Sequence, residues 1–509
     1  MFVTTAIVLY AGKSVSEAAT DITEILSTAH VAFSRFAFRL SALSYSTMTR
    51  PTLLNLGDIE YQFSPFRRSV SFPSVSAVIR LSEQDRVLLD REFLRLAALL
   101  VSVDSSNSGT PIARIFDGVV TDVTSSANDL SVTISALAWE ANMGNAFPSS
   151  LFSRADFPDA PSDVVGVYSR QIIIGEFNFP IAVRQIDRQG QVFYVCDPPL
   201  RSAPRAVMVG GSFLPPDQYR FVALRTARSG IEFTALVLSK PVSQFSSGLI
   251  PVVSVVGGVG MRHDDAISII VQHQGLRVGS SLKYAISRLS GGFPMSVLLN
   301  KRDNGMEILL NRLFPQTVFV PMIRNGALEV IDPDPLSDPV LALGRGRGLI
   351  GRTKFEQQGF REVVNSVQVN CGMTHYGGQA LRRPLVQVVR GPTSGPRHIM
   401  SIASKSASTY GYRFVEIDGG DLAVQFSPGG APLRSVSGEM LAERIILLSA
   451  FEGYIYEYAV TWDLINYLEL GDIVYLNDPD IGLYNKKFMV VRKVYSNDPS
   501  IAFQRVFVA

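Results

Sequence analysis

Gly346-Arg347-Gly348-Leu349-Ile350-Gly351 has the spacing of a dinucleotide-binding GxGxxG loop, and with Arg352-Thr353 it falls one residue short of a phosphate-binding loop. Both loops work by carrying a strand into a helix N-terminus, where glycine-rich backbone N–H groups meet a phosphate. Here Pro339 lies five residues before Gly344, Arg352–Gln358 carries no helical apolar stripe, and Arg stands where the phosphate Lys belongs. The stretch therefore reads as a basic interdomain linker. Asp332, Asp334 and Asp338 alternate with prolines, without the glycine turn and spaced Glu of a calcium loop, and read as a solvated turn. Asp478-Pro479-Asp480 reads likewise as a connection between strands. Ser280-Ser281-Leu282-Lys283 matches S-x-x-K but has no SDN or KTG partner. His263 beside Asp264 and Asp265 has the make-up of an acid–base cluster and also of a helix start, where first-turn carboxylates suit the macrodipole. The helix start is the preferred reading. No G-x-S-x-G or H-E-x-x-H motif occurs. A pair of carboxylates distant in sequence stays open. No catalytic, cofactor-binding or metal residue is assigned, and no cofactor is expected.

The 509 residues suggest three or four domains, since single cores stop growing near roughly 250–300 residues. With 47% hydrophobic and 18% charged residues the chain is too apolar for disorder. A net charge of +2 gives no global pull toward nucleic acid or anionic lipid. Only nine of the 47 cations are Lys, and the 38 Arg fit either large contact surfaces or a GC-rich genome. Cys196 and Cys371 cannot build a disulfide framework. Cys371 and His375 lack the second ligand pair of a zinc site, so a buried free thiol is expected. No run of 18 apolar residues occurs, so no membrane insertion is expected. Met1–Ala11 is apolar but has no basic residue before it, which argues against a signal peptide and for a reducing cytoplasm.

The elements behind these residues are mostly strands. Residues 14–43 carry a helical period through Val15, Ala18, Ala19, Ile22, Ile25, Leu26 and Ala29, with Ser14 and Glu17 as a capping box, and read as a helix after an initial strand. Ser82–Val101 also reads as helical. Ile112–Val123 and Leu130–Ala138 read as a hairpin, the second strand alternating apolar and polar residues. Short strands at Phe193–Val195, Ala206–Val209 and Ile231–Leu238 mark a small β module. Helical patterns return over Asp264–Phe314. Asn325-Gly326 joins Val318–Ile323 to Ala327–Ile331 in a hairpin, because a type I′ turn needs two residues at positive φ. A helix near Glu439–Leu448 then sits among strands that run to Val508.

This order yields an N-terminal strand plus amphipathic helix extension (1–50), a first β domain (51–152), an inserted small β module (153–260), a helical segment with a β-hairpin (261–343) and a second β domain (344–509). The fold class is mainly β or α+β. The organisation resembles the baseplate hub or tail-tip hub proteins of long-tailed bacteriophages and contractile injection systems. The likeness is carried by Leu53-Leu54-Asn55-Leu56-Gly57-Asp58-Ile59-Glu60-Tyr61 leading to Arg114–Asp122, and by Ala206–Gly211 followed by Pro216–Tyr219. It is carried also by Leu468-Glu469-Leu470-Gly471-Asp472-Ile473-Val474 with Asp478–Lys486 and Phe488–Val491. Gly471 falls where a tight turn must precede a strand.

The resemblance covers about residues 51–509. It implies two barrel-like hub domains per chain and a homotrimeric ring of six pseudo-equivalent barrels at the distal end of a tail. It also implies a non-enzymatic structural role in the virion, with assembly in the host cytoplasm. The implied partners are the tail tube or distal tail protein, the tape-measure protein and a central fibre or spike, with DNA only in transit during ejection. Two departures stand out. Residues 1–47 have no counterpart in the family core, which makes Met48 an alternative start, and two cysteines cannot reproduce the four-cysteine iron–sulfur site of some tail-tip relatives. The rival expectations are a β-rich glycan-binding or peptidoglycan-degrading tail enzyme, prompted by Trp139, the Tyr and Phe content and the small β module, and a single-barrel adaptor ring.

Overall fold

The computed structural model describes residues 2–11, 21–64, 69–71, 73–80, 94–125, 131–138, 145–148, 150–177, 180–245, 252–292, 296–324, 326–357, 362–373, 384–419, 422, 424–426 and 432–507. The described residues are 51% strand and 19% helix and form two closed six-strand barrels, so the fold is mainly β as expected. The first barrel uses β1 (Phe2–Ala11), β2 (Ala29–Phe33), β3 (Arg39–Ala42), β4 (Tyr45–Arg50), β5 (Leu94–Val103) and β6 (Ser108–Ser125). Its strands run β3-β4-β2-β1-β5-β6, and a parallel contact of Ser108 and Gly109 with Arg39 and Leu40 closes the ring. The second uses β7 (Leu341–Arg345), β8 (Gly348–Gln357), β9 (Tyr454–Val460), β10 (Ile473–Asp478), β11 (Leu483–Tyr495) and β12 (Ser500–Arg505). It runs β10-β7-β8-β9-β12-β11 and closes where β11 pairs with β10. Closure leaves the core strands of each barrel without free edges.

Three sequence expectations change here. Residues 1–50 are not an appended extension: they supply four of the first barrel's six strands, and Met48 lies inside β4. The helix expected over 14–43 is confined, among the described residues, to α1 (Ile22–Ser27), which starts at the Asp21 cap; Ser14 and Glu17 lie outside them. The described end of the helix expected at 82–101 is strand β5, and residues 81–93 lie outside the described set. The cause at 82–101 is burial. All ten residues of β5 are buried, with Leu96, Ala98 and Leu100 on one face and Ala97, Leu99 and Val101 on the other. A strand covered on both faces loses its alternation and reads as a continuous apolar run.

The Ser108–Ser125/Ser131–Ala138 hairpin pairs from Gly118↔Ala138 to Ser125↔Val132, with a one-residue shift between Val120 and Asp122, and extends the first sheet beyond the barrel through Ser74–Arg80 and Leu53–Leu56. Residues 172–256 hold two four-stranded sheets, one with Val192–Cys196 and Glu232–Leu238 at its centre. α2 (His263–His273) and α3 (Ser280–Gly292) pack through Ile267, Ile270, Leu282 and Ile286. Inside the segment read as one second β domain lies a unit with its own core. Sheet strands Ser366–Met373, Pro384–Arg390 and Phe414–Gly419 carry α4 (Arg397–Tyr410) and α5 (Val436–Ser449), and Val367, Val369, Cys371, Ile402, Leu441 and Ile445 fill the space between. This insertion between β8 and β9 was not separable in the sequence, where its strands and those of the barrel follow without a composition shift.

Candidate functional site

The two barrels are joined by more than a linker. Ile59–Ser64 leaves the first sheet and pairs with β11 of the second barrel, aligning Ile59 with Tyr495 and Tyr61 with Lys493. Ile7, Leu9, Leu96 and Leu100 from the first barrel and Val460, Ile473, Phe488 and Phe503 from the second belong to one continuous buried cluster. Burial on that scale, at about 1.5–3 kcal/mol per large side chain, makes the pair a single mechanical body. The hairpin Val320–Arg324/Ala327–Ile331 continues it. Val320, Met322 and Ile331 face the barrel core, while Ile323, Leu328 and Val330 face the α2–α3 core. Gly326 turns at φ +70 as expected, and Asn325 lies outside the described residues.

Polar groups are concentrated where these bodies meet. Arg324 pairs with Glu469 at 2.6 Å, and Lys493, 2% exposed, donates to the Leu468 carbonyl at 2.6 Å. Burial pushes the Lys493 pKa down to about 8; Glu469 opposes the shift and Arg324 adds to it. Tyr61 donates to the Ile115 carbonyl at 2.9 Å and meets Tyr495 edge-on, with ring centroids 6.2 Å apart. Burial raises both phenols above their ordinary value. Gly471 sits at φ +89 at the start of this contact, and a Cβ there would lie 2.3 Å from Ile331 Cγ2. The expected turn is therefore also a point of close approach between hairpin and barrel.

Within the first barrel Asp117 is fully buried. Its Oδ1 accepts from Tyr10 at 2.7 Å and Arg95 Nη2 at 3.0 Å, and its Oδ2 accepts from Arg114 at 3.3 Å. In the second barrel Tyr458 donates to buried Asp478 at 2.7 Å. Buried carboxylates are tolerable only with such partners.

Arg114 also lines an open cleft of about 660 Å³ between the first barrel, the end of α2, the start of α3 and the hairpin. The other charged groups lining it are Arg277, Lys283, Arg324 and Glu329. Burial lowers the Arg114 pKa, and the like charges of Arg277 and Arg95 act in the same direction against Asp117. Glu329 is turned to the start of α3: it accepts from Ser280 N at 3.2 Å, Ser281 N at 2.9 Å and the Ser281 hydroxyl. Gly279 permits that approach, because a Cβ there would lie 2.1 Å from the Glu329 carboxyl carbon.

The motifs singled out in the sequence resolve into structural roles. Gly346, in the turn between β7 and β8, and Gly348, which opens β8, take φ of +74 and +89, so the glycine-rich stretch is a barrel turn and not an interdomain linker; it runs into a strand and not a helix. Ser281 of the S-x-x-K match serves Glu329. His263, Asp264 and Asp265 open α2, with Arg262 Nε on Asp264 at 2.9 Å. Asp332 and Asp334 of the Pro-rich turn each lie 3.3 Å from Arg444 of α5, so this turn is pinned to the insertion. Cys196 and Cys371 are free and buried; burial raises Cys371 to about 11 and Cys196 higher still. His375 and Trp139 lie outside the described residues. Among the described residues no group of three or more His, Cys, Asp or Glu is placed to hold a metal ion, and no helix is long and apolar enough to cross a membrane. Sequence reasoning missed the basic cleft, whose cations come from positions 114, 277, 283 and 324.

No family model matches the sequence, and no curated protein matches it. Among solved structures, the 43 kDa tail protein of prophage MuSo2 from Shewanella oneidensis aligns at a TM-score of 0.39 and 11% identity, covering 92% of this chain and 98% of that one. The lidded Francisella PdpA-VgrG complex aligns at 0.38 and 6% identity, over 99% of this chain and 52% of that chain. A lidless PdpA-VgrG complex aligns at 0.34 and 6%, over 99% and 64%. The chain thus spans less than two thirds of the PdpA-VgrG chains. At TM-scores below 0.5 these likenesses carry no functional argument.

Proposed function

We propose that this chain is a structural hub protein of a phage-type tail, located at the tail tip or baseplate of the virion. Three copies form a ring that links the tail tube or distal tail ring to a central fibre or spike and surrounds a gated channel for DNA. The observation that carries this reading is the pairing of two closed six-strand barrels through one continuous core. Two rigidly joined barrels per chain, repeated under a three-fold axis, give six barrels around a ring. Heterologous contacts of this kind close into a ring only when the rotation closes. The sequence phrases shared with hub proteins point the same way.

The role is mechanical. Both Tyr–Asp pairs are buried inside their barrels, and the cleft's one lining carboxylate, Glu329, is bonded to a helix start. That cleft does not offer the two carboxylates a glycosidase needs on either side of its bond. The mass of the purified protein in solution tests the reading, together with negative-stain images in the presence of tail-tube protein. Trimers that cap tube ends are expected. A strict monomer that leaves tubes bare overturns it, as does peptidoglycan cleavage lost on replacing one carboxylate.

A further inference from the structure

The insertion between β8 and β9 carries both of its helices on one face of its three-stranded sheet. Val367, Val369, Cys371 and Val388 turn toward α4 and α5. Side chains alternate across a strand, so the residues between these form the opposite face. The register sets Phe414 beside Ser366, Glu416 and Val389 on either side of Gln368, and Asp418 and Gln387 on either side of Asn370. Phe414, Glu416, Asp418, Gln387 and Val389 are exposed.

Two kinds of group meet on this face. At one end Tyr412, 66% exposed, and Phe414, 49% exposed, hold their rings within 12° of parallel, with centroids 6.5 Å apart. The Tyr412 hydroxyl shares a hydrogen bond with Ser366 Oγ at 2.8 Å, which holds the ring in place. Beside the rings runs a row of planar polar groups. Gln368 Nε2 donates to Asn370 Oδ1 at 3.0 Å, and Asn370 Nδ2 donates to Glu416 Oε1. An apolar platform bordered by a few fixed polar groups is the make-up of a small-ligand surface.

The mixture of groups selects the ligand. Amides donate and accept, whereas carboxylates accept. Hydroxyl groups do both and can answer every polar group in the row, while the C–H faces of sugar rings suit two parallel aromatic rings. Lys and Arg side chains of a basic peptide only donate, and would leave the amide N–H groups unanswered. A phosphate or sulfate polymer would meet the Glu416 and Asp418 carboxylates. The neighbouring cations turn away from this face: Arg390 pairs with Glu439 and Glu443 of α5, and Arg413 alternates to the far side of Tyr412 and Phe414.

We propose that this sheet face binds a neutral oligosaccharide, with sugar rings on Tyr412 and Phe414 and hydroxyls on Gln368, Gln387 and Glu416. It gives the chain a recognition surface outside the barrels, and it does not depend on the ring.

The test is binding of the fluorescently labelled full chain to a printed array of neutral oligosaccharides, with heparin and hexalysine on the same surface. Binding to at least one neutral oligosaccharide is expected, weakened at least roughly tenfold by Y412A combined with F414A. Y412F keeps both rings and is expected to retain binding. Q387A changes one exposed side chain that no core contact uses, and is expected to weaken binding about two- to tenfold, a loss that misfolding of the double variant could not explain. Failure of every neutral oligosaccharide to bind, equal binding by the double variant or by Q387A, loss of binding in Y412F as deep as in the double variant, or stronger binding to heparin or hexalysine overturns the proposal. A monomer that binds through these residues removes the hub reading alone, and a ring that binds no neutral oligosaccharide removes this proposal alone.

Discussion

Tyr10 donates its hydroxyl to Asp117 Oδ1 at 2.7 Å, across 107 positions of sequence, and Arg95 Nε in turn donates to the Tyr10 hydroxyl at 2.8 Å. The contact ties β1 to β6 through the strand between them, so the first and last strands of the barrel share one polar centre. Replacing Asp117 by Ala leaves Arg95, 1% exposed, beside Arg114 without their shared carboxylate. A loss of about 3–5 kcal/mol is expected. Tyr10→Phe removes one neutral donor and is expected to cost about 1–3 kcal/mol. Urea unfolding of both variants checks the order; an Asp117→Ala variant no weaker than Tyr10→Phe contradicts it.

A chain begun at Met48 lacks β1, β2 and β3 and the first half of β4. Strand β5 then loses its whole register with β1, from Phe2↔Val103 to Ala11↔Leu94, and keeps only β6 as a partner. Such a truncation is expected to be insoluble or to lose its first barrel to limited proteolysis. A soluble truncation with the strand content of the remaining chain by circular dichroism would show that residues 2–47 are dispensable.

These first strands also show what could be read in advance. Ser131–Ala138 alternates visibly because one of its faces stays partly open, whereas β1 and β5 are covered on both faces and lose that signature. The C-terminal strands, the turn at Gly471 and the hairpin at Gly326 were legible because turn residues flank short apolar runs. The cleft was not. Its charges come from positions 114, 277, 283 and 324, and only the tertiary fold brings them together.

Gly471 combines φ +89 with the Ile331 methyl at its missing Cβ. Gly471→Ala must shift hairpin against barrel and strain the backbone, at an expected cost of about 1–3 kcal/mol. Thermal unfolding checks it. Gly482→Ala is the control, since it has φ +70 but open space around its Cβ position. Equal shifts in the two variants would mean that the Ile331 contact adds nothing.

Lys493 gives stability a pH signature. Its pKa in the folded chain is about 8 against an ordinary 10.5. Between those values the unfolded chain holds a proton that the folded chain has released, so this group's contribution to stability rises with pH across the window and is least below about 8. Lys493→Met keeps the length of the side chain and has no proton to exchange. The stability of the natural chain relative to Lys493→Met is expected to increase from pH 7.5 to pH 10. Parallel profiles would mean that Lys493 keeps its ordinary pKa.

In the proposed assembly the two fused barrels are one third of a ring. Averaged electron-microscope images of the purified protein viewed down its symmetry axis test it most directly. A three-copy particle with six barrel-sized densities around a central opening is expected. Particles holding a single pair of barrels at every concentration examined, alone and with tail-tube protein, would contradict it.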